Sequence, residues 1–404
     1  MKITALETAE LGPDSPMPRL VFVRVHTDDG LVGLGETYYL PSACREVIHR
    51  DIAASLLGKD ARDIERHWRY FADFYGRVAA RGAEMRALSA VDVALWDIAG
   101  QAAGMPIHQL LGGRCTDRLP IYNSCGGPNT ASGRAPQRPG ELSDEARRTS
   151  ERYDDLTASF EQPEALARDL LAEGIDGMKF APFDRFAARH RGLRIDPADL
   201  HEGLETVRRI REAVGDRMQI MIEGHGLWSL EPALDIARAL EAYNVAWVED
   251  LVRATDVELV AQLRAGTRAP VCASEFLVGR TEYRRLLLAD GADIVMVDST
   301  WAGGITEARK IAVLADTFGV PVTFHDCTGP VTLMADVHLG FASPNTLVQE
   351  TCRAYIRTFY GDFVDGLPEL DGGAILPPTA PGLGMTLRPE LFEDPTVTWT
   401  RTEL

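Results

Sequence analysis

Met221-Ile-Glu223, Trp247-Val-Glu249, Ala273-Ser-Glu275, Met296-Val-Asp298, Thr323-Phe-His325 and Val348-Gln-Glu350 decide the fold of this chain. Each is a short run, mostly apolar, that ends in a group able to ionise or to hold a proton. Successive endings lie 23 to 27 residues apart. That interval accommodates one strand, a loop, one helix and a second loop. The intervening segments are amphipathic at helical spacing, at 232–242, 256–265, 281–289, 304–318 and 330–342. Strands alternating with helices at this length imply a parallel sheet. With the further apolar runs 119–123 and 177–181, the strands number eight. Eight βα units close as a (β/α)8, TIM-type barrel, whose chemistry collects at the C-terminal ends of its strands. The polar endings fall there. An open doubly wound sheet is the competing arrangement, but no glycine-rich phosphate loop accompanies this one.

Upstream of the barrel the pattern changes. Leu20-Val-Phe-Val-Arg-Val-His26 alternates as a strand, Asp28-Asp29-Gly30 reads as a turn, and Leu31 to Glu36 returns, which is a hairpin signal. Residues 41–112 read as helices. Among them, the segment from Ala90 is halted by Gly104 and Pro106. An α+β capping unit is therefore expected over 1–115, the barrel over 116–370, and a Pro/Gly-rich tail over 371–404 that packs back on the cap.

Composition narrows the function. The chain has 404 residues and a formal net charge of −18, which disfavours nucleic acid as a partner. Six scattered cysteines without a CxxC pair read as reduced thiols of a cytoplasmic protein. No leader pattern opens the chain and no run of 18 apolar residues occurs, so no membrane association is expected.

The strand endings divide by chemistry. Glu223, Glu249 and Glu275 end three successive strands, and converging carboxylates need compensation. One such glutamate could pair with an arginine. Three at a near-constant interval favour a shared divalent cation, and an all-oxygen set favours Mg²⁺, one per subunit, over zinc. His225 lies two residues beyond Glu223, on the same side of an extended segment. Asp298 and His325 end neighbouring strands, where a carboxylate would fix the imidazole's tautomer and raise its basicity. Lys179, ending the second strand, is costly inside a barrel unless it meets an anion. Glu350 closes the eighth run, within reach of a substrate oxygen or of a rim ion pair.

The chain also resembles the enolase superfamily, in its mandelate racemase-like subgroup. The resemblance is carried by Ala90-Val-Asp-Val-Ala-Leu-Trp-Asp97, Leu110-Leu-Gly-Gly113, the three strand-end acids, Asp298 with Ala302-Gly-Gly-Ile-Thr306, His325, Gln349-Glu350 and Pro381-Gly-Leu-Gly384. It implies a cap over a modified barrel, Mg²⁺ on Glu223, Glu249 and Glu275, and removal of a proton α to a carboxylate by His325 with Asp298. Two departures bear on the reaction. Ala181 stands where racemases carry the second lysine of a Lys-x-Lys pair, so one face loses a base. Glu223-x-His225 is similar to the Asp-x-His of galactonate dehydratase-like acid-sugar dehydratases, where the histidine protonates a departing hydroxyl.

Dehydration of a sugar acid to a 2-keto-3-deoxy acid is thus the leading expectation. Epimerisation, racemisation or cycloisomerisation on the same scaffold, and a non-catalytic metal-binding relative, are the alternatives. A small sugar acid is the expected partner, and a homo-oligomer the expected assembly. Position alone nominates Tyr38, Tyr39, Tyr122 and Asn123 as substrate contacts, with Arg134 and Arg138 of the 126–140 loop facing a distal carboxylate or solvent.

Overall fold

Eight apolar runs close into one barrel. A computed structural model describes residues 1–78, 81–127 and 152–404. Arg134 and Arg138 lie outside the described residues. The barrel strands are β4 (Leu119–Ser124), β5 (Gly177–Phe180), β6 (Gln219–Glu223), β7 (Trp247–Glu249), β8 (Val271–Ala273), β9 (Ile294–Val297), β10 (Val322–Phe324) and β11 (Thr346–Thr351). All pair in parallel with their sequence neighbours. Closure comes from β11 on β4, in the register Gln349 to Ile121, Glu350 to Tyr122 and Thr351 to Asn123. Most paired segments are shorter than the apolar runs. Glu275, Asp298 and His325 consequently stand one or two residues past the last paired residue, free of the ladder and able to turn inward.

Alternation along the strands sorts the lumen from the helix layer. Tyr122, Met221, Trp247, Cys272, Ile294 and Met296 form one buried apolar cluster inside the barrel. Glu223, Glu249 and Asp298 each come two residues after a member of that cluster. The packed lumen is thus the floor on which the polar groups rest.

The cap is a four-stranded antiparallel sheet. β1 (Ile3–Glu10), β2 (Leu20–Thr27) and β3 (Val32–Tyr38) come from the start of the chain. Its outer strand, β15 (Thr398–Glu403), is the C-terminus, paired antiparallel on β1. Between them in sequence, β12 (Val364–Asp365) pairs with β14 (Thr386–Leu387), and β13 (Ala374–Ile375) pairs with β4. The helix Ala83–Ala103 fills the space behind the sheet and ends, as the sequence predicts, on Gly104 at φ 65°. Contact between this helix and β3 is so close that a Cβ on Gly33 or Gly35 would lie 2.0 or 1.9 Å from the carbonyl oxygens of Ala94 and Ala90.

Two buried aspartates of that helix tie the layers together. Asp92 accepts from the Thr306 amide, at 2.9 Å, at the start of a barrel helix. Asp97 accepts from the Leu34 amide of the cap sheet and from the Leu383 amide of the returning tail. Burial pushes their carboxyls up to about 7 and about 6, against the pull of those donors.

Candidate active site

The mouth of the barrel holds a cavity of about 360 Å³. Lys179, Glu223, His225, Glu275, His325 and Glu350 line it from the barrel, and Arg19, Tyr38 and Tyr39 line it from the cap. Glu249 lies beneath, fully buried. The expected strand-end groups are therefore gathered at one end of the barrel.

Lys179 stands among the carboxylates. Its ammonium bonds Glu249, lies 2.7 Å from Glu350 and 3.6 Å from Glu223. Burial opposes its charge, but Glu249 and Glu350 outweigh that and hold it protonated well above the ordinary lysine range. One ammonium does not balance the site. Burial, then repulsion from Asp250, pushes Glu275 up to about 8, and burial and Glu223 push Asp250 up to about 7. Glu275 Oε2 is buried without a hydrogen-bond donor among the described residues. Trp247 Nε1 donates to Glu249, and the amides of Gly224 and His225 donate to Glu223 Oε1 at 2.9 and 2.6 Å.

Among the described residues, no three Asp, Glu, His or Cys side chains stand close enough together to hold an ion as they are. Even so, the donor chemistry fits a hard divalent cation. The donors are buried carboxylate oxygens, one of them orphaned, in a site with more anions than cations.

Two imidazoles flank these acids, each tied to an aspartate. His325 Nδ1 donates to Asp298 Oδ2 at 2.9 Å. Asp298 is fully buried and also accepts from Thr328 Oγ1, Thr300 Oγ1 and the amides of Thr300 and Trp301. Nε2 of His325 makes no hydrogen bond among the described residues. Burial disfavours the imidazolium, but the bond to Asp298, with Glu350 and Glu275 near, raises the His325 pKa. Across the pocket, His225 Nδ1 bonds Asp184 Oδ2 at 2.5 Å. There burial again opposes the charge, while Glu223 and Asp184 favour it and push the pKa up to about 9.

Several residues around the site carry no local sequence signal. Asp184 opens the helix Asp184–His190 that follows the neighbouring strand. Trp301 lies with its ring 5.2 Å from that of His325. The Arg86 guanidinium sits 4.1 Å over Trp301. Tyr39 lies between Arg19 and Arg86 at 5.5 and 5.4 Å. Both Tyr39 and Leu40 take positive φ at this lip, a strained backbone held by its surroundings.

Two nominated substrate contacts fall elsewhere. Tyr122 is wholly buried in the lumen cluster, its ring edge-on to Trp247. Asn123, one residue on, points to the other face. There it donates to Asp155 and accepts from the Arg353 amide. Neither lines the cavity, whereas Ser124 and Ala181 do. The alternation that aims Tyr122 inward seats it one layer too deep.

This architecture has close counterparts. Residues 162–391 match the family model described as enolase C-terminal domain-like. Residues 15–112 match that of the mandelate racemase / muconate lactonizing enzyme N-terminal domain. The chain belongs to the mandelate racemase/muconate lactonizing enzyme family of the enolase superfamily. It is 32% identical over 397 residues to a D-galactonate dehydratase of Ralstonia nicotianae, covering 96% of this chain and 92% of that one. A D-galactonate dehydratase of Xanthomonas oryzae pv. oryzae is 31% identical over 403 residues, covering 97% and 94%. Among solved structures, an enolase of the mandelate racemase subgroup from Agrobacterium tumefaciens superposes with a TM-score of 0.87 at 38% identity. It covers 100% of this chain and 99% of its own. An enolase protein from Sargasso Sea environmental sequencing gives 0.87 at 39%, with the same coverage. Enolase-superfamily enzymes typically use a divalent metal, and the family implies a small-molecule acid as substrate. Among the described residues no helix is long and apolar enough to cross a membrane.

Proposed function

We propose that this enzyme is a Mg²⁺-dependent acid-sugar dehydratase. The observation that carries the reading is the pair of imidazoles on one pocket, each held through Nδ1 by an aspartate, with Ala181 on the wall between strand and loop. One proton acceptor and one proton donor are what dehydration needs. A two-base racemase needs two acceptors. Similarity to D-galactonate dehydratases supports the same choice.

In this reading Glu223, Glu249 and Glu275 hold the cation, and Lys179 gives way toward the substrate carboxylate. Bound there, Mg²⁺ supplies a Lewis acid for the charge that develops on that carboxylate. His325 Nε2 takes the proton from C2, and the C–H electron pair passes into the enediolate. Lys179 and Glu350 bracket the substrate oxygens, the lysine as a fixed positive charge. His225, carrying its proton on Nε2, gives it to the 3-hydroxyl as the C3–O bond breaks, and water leaves. The enol then takes up a proton at C3 and becomes a 2-keto-3-deoxy acid.

The test is incubation with a panel of aldonic and aldaric acids in Mg²⁺, read by a 2-keto-acid assay. Turnover of at least one acid is expected. A protein that binds Mg²⁺ yet converts none of them would overturn the reading.

A further inference from the structure

A second concave site lies on the outside of the barrel, at the seam with the cap. It is a groove of about 800 Å³ between the helices Gly279–Leu288 and Gly304–Thr317, bordered by Glu65 and Trp96 of the cap. Arg280 and Arg284 come from one helix, Arg309 and Lys310 from the other. In a chain whose Asp and Glu number 60 against 42 Lys and Arg, cations on a concave wall would ordinarily meet carboxylates. Here Lys310 bonds Glu65 at 2.6 Å, and Arg280 lies 3.6 Å from Glu307. Arg284 and Arg309 have no carboxylate partner among the described residues.

Apolar surface accompanies the charge. Leu314, Val313 and the Trp96 ring line the same groove, and Trp96 is anchored through Nε1 to Thr306 Oγ1 at 2.8 Å. Thr281 and Thr317 add hydroxyls at its rim. Paired guanidiniums suit phosphate or carboxylate groups, and a concave apolar surface suits the body that carries them. We propose that this groove binds a small organic polyanion with at least two negative charges and a flat or apolar part. It is separate from the catalytic pocket and shares no lining residue with it.

Calorimetric titration of the full-length protein in low-salt, metal-free buffer tests this with ATP, pyrophosphate and adenosine as probes. ATP is expected to bind saturably at one site per chain and to weaken steeply with salt. Pyrophosphate should bind more weakly than ATP, and adenosine not at all. R284A/R309A should weaken ATP binding at least tenfold with an unchanged melting temperature, because both side chains are exposed and make no hydrogen bond among the described residues. R50A/R62A, which removes the same charge at two cap residues that do not line the groove, should leave affinity within twofold. Absence of saturable ATP binding would overturn the proposal, as would equal loss in the two double variants. Pyrophosphate binding as tightly as ATP would overturn the role given to Trp96 and Leu314. A change of oligomeric state in R284A/R309A would make the groove a contact between copies instead, and the proposal would fall.

Discussion

The two Asp–His pairs use the same chemical couple under opposite conditions. The His325 side chain is 9% exposed and Asp298 is fully enclosed, receiving hydrogen bonds from four further donors. The His225 side chain is 52% exposed, and Asp184 is its partner from a neighbouring barrel unit. In the first pair the aspartate's valences are filled, so its main effect is to fix a ring orientation and tautomer. In the second, one acid and the nearby Glu223 mainly maintain a positive charge. In the proposed dehydration one couple would serve as an orienting device and the other as a proton store.

The largest effect should come from the enclosed pair. His325→Asn is expected to lower kcat/KM by about 10³-fold, within the range of a lost general base, and to abolish exchange of the substrate C2 proton with D₂O. Keto-acid formation and proton NMR check the two halves. His225→Asn should separate them. Dehydration falls about 10²-fold, while C2 exchange continues because abstraction is intact. Loss of exchange in this variant would erase the distinction between the pairs. The aspartates rank next. Asp298→Asn should cost more than Asp184→Asn, with the latter losing about tenfold in kcat, because a solvated imidazole keeps much of its function without its carboxylate. A reversed ranking would exchange the two roles.

A third imidazole sharpens the contrast at the smallest scale. His338 is buried with no carboxylate. Its Nδ1 accepts from the His108 amide, and its Nε2 donates to the Leu383 carbonyl. Burial pushes its pKa down to about 3. A depressed histidine is protonated in the unfolded chain below pH 6.5 but not in the folded one. Stability from this residue is therefore full above that value and lost as pH falls from about 6.5 toward 3. Urea titrations of His338→Gln should show the acid-side slope reduced by up to about 1.4 kcal/mol per pH unit. An unchanged slope would mean that the ring is already charged when folded.

Much of this was written in periodicity. The near-constant spacing of Glu223, Glu249, Glu275, Asp298, His325 and Glu350 follows from the βα repeat, so fold and strand ends are read together. The cap hairpin was equally plain, because Asp28-Asp29-Gly30 demands a turn. Tertiary neighbours were not plain. Asp184 meets His225 only because strands β5 and β6 are adjacent and the helix after β5 begins beside the loop after β6. Arg19 reaches the mouth from the cap, at a distance no local pattern encodes. Tyr122 lies in the lumen cluster and not on the cavity wall, a placement that alternation does not specify, because it gives the side of a strand and not the depth.

The pairing of β15 on β1 also sets an order of assembly. The first strand of the cap is made at Ile3, and its outer neighbour, Thr398–Glu403, is made only after the whole barrel. Until then β1 presents a bare edge, the kind of surface that invites pairing with other chains. Nascent chains halted short of residue 398 should therefore be the aggregation-prone species of this protein. The final six-residue strand closes that interval of risk.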